Sequence, residues 1–447
     1  MKIEIPAKVS YIISNLQLHG HEAFAVGGCV RDSILAKEPQ DWDVTTSANP
    51  EEIKAMFRRT VDTGIAHGTI TVLVGDDGYE VTTYRIDGDY FDSRRPSSVT
   101  FTKSLEEDLK RRDFTINAMA YNDQVRLVDL YGGMRDLNHH LIRCVGDPQA
   151  RFSEDALRIL RALRFSAQLD FPIESNTANA MRALADTLRN ISAERIQSEL
   201  VKLITSDHPE VLREACELGI TKVILPEWDA MVGVTQQTPY HQYDVAEHTI
   251  RAMRNSKPDR VLRLTMLFHD MGKPAHKTTD EKGVDHFNGH GQSSEEIARS
   301  VMRRLKFDND TVKKVTRLVR FHDYRIVATP RNVRRAMNRI GVELFPLYLA
   351  VLLADVKAKS NYKRAEALAN IAQLRKLFLE VVANEQCVSL KDLAVSGKDL
   401  LAIGMKPGAD IGKLLSEMLA LVIDAPEYNQ RDILLEYAQV KMKESEE

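Results

Sequence analysis

A chain of 447 residues is long enough for two to four domains, each burying a core of its own. With 43% hydrophobic and 28% charged residues it has the make-up of a globular protein, not of a fibrous or disordered one. The formal net charge of −3 points to no nucleic-acid partner by itself, and no apolar run approaches the roughly 20 residues that a membrane span needs.

The N-terminal stretch MKIEIPAKVSYIISN lacks an apolar core followed by a small-residue cleavage site. No signal peptide is read there, and a cytoplasmic location is expected. Cys29, Cys144, Cys216 and Cys387 are far apart and form no CxxC pair, which argues against a zinc-thiolate site or a disulfide framework.

The first 140 or so residues alternate short β-like runs with turns: FAVGG, WDVTT, GTITVLV, YEVTTYR and VRLVDLYGG. Within them GGCVRD is followed closely by DWDVTT. Gly27 and Gly28 end a strand and open a helix that carries Arg31, so backbone N–H groups and a helix N-terminus face whatever anion approaches. Asp41 and Asp43 stand at i and i+2 on a predicted strand, and the pleat points both carboxylates to one face. Paired carboxylates repel unless a cation neutralises them, and all-oxygen ligands suit Mg²⁺. Glu80, in a β-like run further on, is the candidate third acid of a two-metal centre. Two solvated acids at a strand start are the plainer reading of DxD alone.

The combination GGCVRD–DWDVTT resembles the signature of the class II tRNA nucleotidyltransferase and bacterial poly(A) polymerase family. The resemblance implies that Gly27, Gly28 and Arg31 cradle a triphosphate and that Asp41 and Asp43 hold the catalytic metal. YRIDGDYFDSRRPSSVTFTKSLEEDLKRRDFTINAMAY is similar to the family's flexible loop and ribose-contacting motif, which places Arg111, Arg112, Asp113 and Asn117 near the nucleotide. Asp113 also reads as an N-cap for a helix starting near Phe114.

Beyond residue 140 the pattern turns helical. In EDALRILRALRF the apolar positions Leu157, Leu160 and Leu163 form a core face, while Asp155 and Arg158 share another face at i and i+3. An intrahelical ion pair is one reading. The other comes from hydrogen-bond chemistry. Cytosine and adenine each present an amino donor beside an unprotonated ring nitrogen. Guanine and uracil present the reverse. A carboxylate that accepts and a guanidinium that donates therefore welcome C and A and refuse G and U without a template. The family carries such an EDxxR helix, and Glu154, Asp155 and Arg158 match it. Arg161 and Arg164, further along, are expected at the nucleotide too, with Arg195 and Glu199 in AERIQSELVKLI as structural support.

The next segment brings His248, His269-Asp270, His290, His322 and Asp355 in the order H…HD…H…H…D. Imidazole and carboxylate together suit a divalent transition metal. The order and the run HDMGKP resemble the HD phosphohydrolase superfamily, which implies His248, His269, Asp270 and Asp355 as core ligands of a second divalent metal and His290 and His322 as additional histidines. Satisfied core histidines are the alternative. Thirteen Lys/Arg against three Asp between Arg299 and Arg339 offer a basic surface, read either as a phosphate-binding stripe or as a solvated helix face. The tail, with the turn GMKPGADIG, resembles the family's tRNA-gripping segment. Gly404 is expected to end one helix there and Asp410 to cap the next.

The expected fold is α+β: a polymerase-beta-like head with a small mixed sheet (1–140), a helical neck that reads the base (141–225), an HD-like helical body (226–380) and a helical tail (381–447). The expected activity is template-independent addition of CCA to tRNA 3′ ends from CTP and ATP with Mg²⁺. Addition of A alone, poly(A) synthesis and an HD phosphohydrolase are the alternatives. In the family this chain resembles, loss of this loop marks enzymes that stop after CC; the loop from Asp87 to Ser104 is complete here, so the resemblance disfavours a CC-only enzyme.

Overall fold

Ala23–Val26 (β1) reads AFAV, and all four residues are buried, as befits a strand covered on both faces in the middle of a sheet. The computed structural model describes residues 2–88 and 98–444. It divides into two compact units, Met1–Pro226 and Glu227–Glu447.

In the first unit β1 lies within a seven-stranded sheet. Its other strands are β2 (Asp43–Thr46), β3 (Thr60–Gly64), β4 (Thr69–Val74), β5 (Asp77–Thr83), β8 (Met119–Asn122) and β9 (Arg126–Asp129), in the order β3-β4-β5-β2-β1-β8-β9. The β2–β5 pair is parallel and the others are antiparallel, so the sheet is mixed, as expected. In β4, Ile70 and Val72 are fully buried while Thr69 and Thr71, which alternate with them, are half-buried, the period-2 pattern of a strand with one wet face. Helix α1 (Ala7–Leu18) buries Val9, Ile12, Ile13 and Leu16. The seven-residue α2 (Gly28–Ile34) follows the double-glycine turn. Helix α3 (Pro50–Met56) starts on a reciprocal cap between Asn49 and Glu52 with Pro50 in its first turn. Beside the sheet, β6 (Arg85–Asp87) and β7 (Val99–Phe101) pair antiparallel and flank the loop expected from Asp87 to Ser104, of which 89–97 lie outside the described residues. Helices α4 (Leu105–Lys110) and α5 (Gly133–Asn138) complete this layer.

The same unit continues into helices. Asp147 caps α6 (Pro148–Glu154), and α7 (Leu157–Leu169) packs against α9 (Ala193–Ile204), with α8 (Ser175–Leu184) between them in sequence. EDALRILRALRF is therefore not one helix. At Asp155 the backbone is extended (φ −138°, ψ 103°), and its carboxylate accepts the N–H of Leu157 at 3.0 Å. That side-chain bond competes with the helical ladder and restarts it. Short helices α10 (Leu212–Glu217), α11 (Thr221–Ile224) and α12 (Pro226–Asp229) follow.

The second unit is helical except for a small ribbon. It comprises α13 (Val245–Asn255), α14 (Arg260–Phe268), α15 (Lys273–His276), the two-residue strands β10 (Thr278–Thr279) and β11 (Asp285–His286), α16 (His290–Arg304), α17 (Asn309–Phe321), α18 (Pro330–Ile340), α19 (Phe345–Ala358) and α20 (Arg364–Ala383). Phe345, Tyr348, Leu374 and Leu377 lie in one core of this body. The tail, α21 (Gly397–Ala402), α22 (Ala409–Asp424) and α23 (Arg431–Glu444), closes over Leu400, Leu414, Met418 and Leu434. Gly404 lies just past α21 at φ +99°. Asp410 does not cap α22; it sits in the first turn and pairs with Lys413 at 3.0 Å. Much of the basic run is used internally. Arg334 donates from Nε to the Ile423 carbonyl at 2.6 Å, Arg335 pairs with Asp424 at 2.7 Å, and Lys314 pairs with Asp310 at 2.6 Å. No helix among the described residues is long and apolar enough to cross a membrane.

Candidate active site

Parallel register sets the first acids side by side. Val44 of β2 pairs with Val81 of β5, so the preceding residues, Asp43 and Glu80, are neighbours on one face. β2 begins at Asp43, and Asp41 lies just ahead of it in the approach to the strand rather than within it. Asp43 stands at the open end of β2, but the protein around it still strips enough water to raise its carboxyl above the usual carboxylate range. Burial is the largest cause and the Glu80 charge the next, with Asp41 adding and Arg112 opposing. The three acids thus share one field in which Arg112 offsets only part of their negative charge. They are not drawn tightly together: among the described residues, triads of ligand atoms within 4.8 Å of one another occur in the histidine cluster described below and not here.

The Gly27-Gly28 turn is built as its sequence requires. Gly27 has φ +84°, and a Cβ there would stand 3.2 Å from Nη1 of Arg112. Glycine meets both demands, the left-handed backbone and the close approach of the guanidinium. From this turn a chain of polar contacts runs to the neck. Arg31 Nη1 donates to Asn117 Oδ1 at 2.7 Å, Asn117 Nδ2 to Asp113 Oδ1 at 3.2 Å, and Arg161 Nε to Asp113 Oδ2 at 2.6 Å. Burial alone would raise the Asp113 carboxyl, but Arg161 and Arg158 hold it at about 2. Asp113 does not cap a helix: residues 115–117 form a single 3₁₀ turn, and the Asp113 carboxylate accepts the N–H of Phe114.

Asp108, absent from the sequence expectations, organises the two arginines before Asp113. Fully buried, it accepts from Arg111 Nε and Nη2 at 3.0 and 2.7 Å, from Arg112 Nη2 at 3.2 Å and from Thr45 Oγ1 at 3.1 Å. It ties the arginines to the strand that carries Asp43. The spacing DLKRR, i to i+3 and i+4 on a helix, was the available signal.

On the neck, Asp155 and Arg158 do not pair with each other. Arg158 donates to Glu154 at 2.7 Å and to the carbonyls of Arg151 and Arg111 at 3.1 and 2.9 Å. Asp155 is held instead by Arg195 at 2.9 Å. The break before α7 is the reason, because it removes Asp155 from helical i,i+3 geometry. Arg164 meets Glu199 at 3.2 Å, both buried, and its guanidinium is pushed down to about 10, by burial first and by Arg161 next. Phe165, also missed, lies among Arg31, Arg161 and Arg164, whose guanidinium carbons are 5.0, 5.3 and 4.2 Å from its ring centre.

The second unit gathers all six residues of the H…HD…H…H…D series. His248 comes from α13, His269 and Asp270 from the end of α14, His290 from the start of α16, His322 from the end of α17 and Asp355 from α19. All are nearly or fully buried. Nε2 of His248 lies 3.0 Å from Asp355 Oδ1, 3.3 Å from Nε2 of His269 and 3.5 Å from Asp270 Oδ2; His269 is 3.2 Å from Asp270 Oδ2. On the other side of Asp270, Nε2 of His290 and Nε2 of His322 are 3.1 Å apart and each 3.4 Å from Oδ1. Gly272 makes this convergence feasible, since a Cβ there would stand 2.5 Å from the His290 carbonyl oxygen.

The imidazole tautomers follow from the backbone. Nδ1 of His269, His290 and His322 each donates to a carbonyl three residues earlier, at 2.6 to 2.7 Å. Neutral rings so arranged turn unprotonated Nε2 lone pairs on one another, so no hydrogen bond holds His290 against His322. Such contacts are repulsive unless a cation sits between them. Ligands about 2.1 Å from one cation stand about 3.0 to 3.4 Å apart, the spacing of His290, His322 and Asp270 Oδ1; the His248 side is looser, with His269 3.9 Å from Asp355. Lys273 reaches Asp270 at 2.7 Å and Lys359 bonds Asp355, so each carboxylate also has an ammonium partner.

Comparison with known proteins bears on both units. Residues 23–143 match the family described as "Poly A polymerase head domain", 170–232 the "Probable RNA and SrmB- binding site of polymerase A", and 280–438 "tRNA nucleotidyltransferase domain 2 putative". The chain is 35% identical to the CCA-adding enzyme of Levilactobacillus brevis over 430 residues, 95% of each chain. It is also 35% identical to that of Enterococcus faecalis over 441 residues, 97% of this chain and 96% of that one. The crystal structure of the Bacillus stearothermophilus CCA-adding enzyme in complex with CTP matches with a TM-score of 0.75 at 28% identity, covering 99% of this chain and all of that one. The Thermotoga maritima CCA-adding enzyme complexed with tRNA, at 20% identity and a TM-score of 0.58, shares the fold.

Proposed function

The chain belongs to the CCA-adding enzyme family of tRNA nucleotidyltransferases, and from that premise we propose how its residues rebuild a tRNA 3′ end from CTP and ATP in the cytoplasm. The observation that carries the assignment is the unbroken chain from the Gly27-Gly28 turn through Arg31, Asn117, Asp113 and Arg161 to the helix of Arg158. It links the phosphate-facing turn to the base-reading residues in one unit.

Asp41, Asp43 and Glu80 are the residues that would hold Mg²⁺. The donor set fits, because three carboxylates share a field that raises Asp43 and that a divalent cation would relieve. When bound, Mg²⁺ supplies charge for the triphosphate and for the tRNA 3′-hydroxyl. Gly27, Gly28 and Arg31 take the triphosphate, with Arg111 and Arg112 alongside and Asp113 and Asn117 at the ribose. The 3′-oxygen bonds to the α-phosphorus in line, and pyrophosphate leaves with the cleaved bond's electron pair. No covalent enzyme intermediate is required, since positioning and charge carry the catalysis. Asp155 accepts from the exocyclic amino group of C or A, and Arg158 donates to the ring nitrogen. The names of the relatives favour complete CCA addition over addition of A alone or poly(A) synthesis. The test offers each of the four nucleoside triphosphates to the native chain and to Arg158→Ala. The native chain should extend tRNA with C and A only. Arg158→Ala should lose at least about tenfold in discrimination, the worth of one charge-assisted hydrogen bond; unchanged discrimination would remove Arg158 from base reading.

A second activity is favoured by the lone-pair geometry of the histidine cluster. His248, His269, Asp270 and Asp355 would hold one divalent cation in this reading, and His290 and His322 with Asp270 would offer ligands to a second. Bound metal would supply Lewis acidity for phosphoester hydrolysis. Metal analysis of protein loaded and then desalted should find divalent ion that Asp270→Ala loses; retention of metal by that variant would dismiss the centre.

A further inference from the structure

Phe165 is buried, with 6% of its surface exposed, and its ring is the meeting point of three cations. Arg31 arrives from the helix behind the Gly27-Gly28 turn; Arg161 and Arg164 come from Phe165's own helix, α7. Their guanidinium carbons lie 4.2 to 5.3 Å from the ring centre, within the range where the ring's quadrupole attracts a cation. Each guanidinium also has an acid: Asp32 at 2.8 Å, Asp113 at 2.6 Å and Glu199 at 3.2 Å respectively. Phe114 meets the ring edge-on at 5.8 Å and fixes its tilt.

The contacts close a ring. The polar chain Arg31–Asn117–Asp113–Arg161 begins and ends on guanidinium groups that both sit against Phe165. On α7, Arg158, Arg161 and Phe165 stand at i, i+3 and i+7, one face of the helix. Whatever sets the distance from Arg31 to Phe165 therefore also sets the distance from the phosphate-facing turn to Arg158. A nucleotide must satisfy both ends at once.

We propose that Phe165 is a positioning residue for the incoming nucleotide, its π face holding Arg31 against α7 so that triphosphate and base are gripped in one register. An aliphatic residue of similar volume would fill the space and leave three like charges without the attraction that gathers them. The effect falls on nucleotide binding, because the reacting atoms are touched by other groups.

The proposal rests on nucleotide binding at this cleft, and its test separates the two claims. Phe165 is replaced, in the full chain, by mono-, di- and trifluorophenylalanine, which keep shape and apolarity while draining the ring's negative face. Equilibrium affinity for CTP and ATP, KM, kcat and Tm are measured across the series. The expected result is a stepwise rise in Kd and KM for both nucleotides, reaching about threefold to tenfold in the trifluoro form, with Tm and kcat nearly constant. Phe165→Leu should show at least that loss, and Phe165→Trp should restore affinity. Affinity that ignores fluorination, or that falls only as Tm falls, overturns the positioning role and leaves Phe165 a packing residue. A native chain that binds neither nucleotide overturns the cleft itself.

Discussion

Asp43 carries an ionised carboxylate at a position that disfavours it, and that has consequences for pH. Its folded-state pKa is raised, so an ionisation penalty on folding builds as pH rises from the unfolded value to the folded one, is full above that, and is absent below the unfolded value. Asp43→Asn should therefore raise the melting temperature of metal-free protein at neutral pH while lowering transfer on the order of a thousandfold. Mg²⁺ should raise the native chain's melting temperature more at neutral than at acid pH, with the increment lost in the variant. Asp113 has the opposite sign. Its pKa is depressed to about 2, so its stabilisation is present above the unfolded value of about 4 and is lost as pH falls from there toward 2. Urea unfolding of the native chain and of Asp113→Asn should differ by roughly 2 kcal/mol at neutral pH, with the gap closing across that window. Arg195, which holds Asp155, should act on fidelity: Arg195→Gln is expected to raise incorporation of UTP and GTP on the order of tenfold in single-nucleotide extension assays.

At the scale of elements, the motif residues were legible where chemistry is local. Gly27-Gly28 with Arg31 and the neighbouring Asp41 and Asp43 depend on type and short spacing, and the H…HD…H…H…D series on type and order along the chain. Partners set by packing were not. Neither the tie of Asp108 to Thr45 nor that of Phe165 to Arg31 announces itself, because those partners come from distant elements; only the DLKRR spacing hinted at Asp108. The break at Asp155 escaped for a related reason. The apolar period of EDALRILRALRF runs straight through it, while one side-chain bond to the Leu157 N–H interrupts the helix. Where an element junction is sterically exact, a single methyl should suffice to damage it. Gly272→Ala would drive a Cβ against the His290 carbonyl and the Ser294 N–H at 2.5 and 2.7 Å. Denaturant unfolding should show a loss of about 1–3 kcal/mol, and metal analysis a loss of ion from the histidine cluster.

Across the whole molecule, the two compact units each hold a candidate centre of different chemistry: oxygen donors in the first, imidazoles gathered with the carboxylates of Asp270 and Asp355 in the second. Independent centres make opposite demands on substitution. Asp43→Ala should abolish nucleotide transfer and leave the metal content of the histidine cluster intact, while Asp270→Ala should do the reverse.

One cleft, with Asp155 and Arg158 as its proposed base readers and Asp41, Asp43 and Glu80 as its proposed metal ligands, is expected to make every addition. The most direct measurement gives purified protein and Mg²⁺ three tRNA transcripts, ending before CCA, after C and after CC, with CTP, ATP or both, and sizes the products. Completion of all three transcripts with both nucleotides, and of none by Asp43→Ala, is the expected result. Extension of the CC-ended tRNA alone, by a single A, would contradict it.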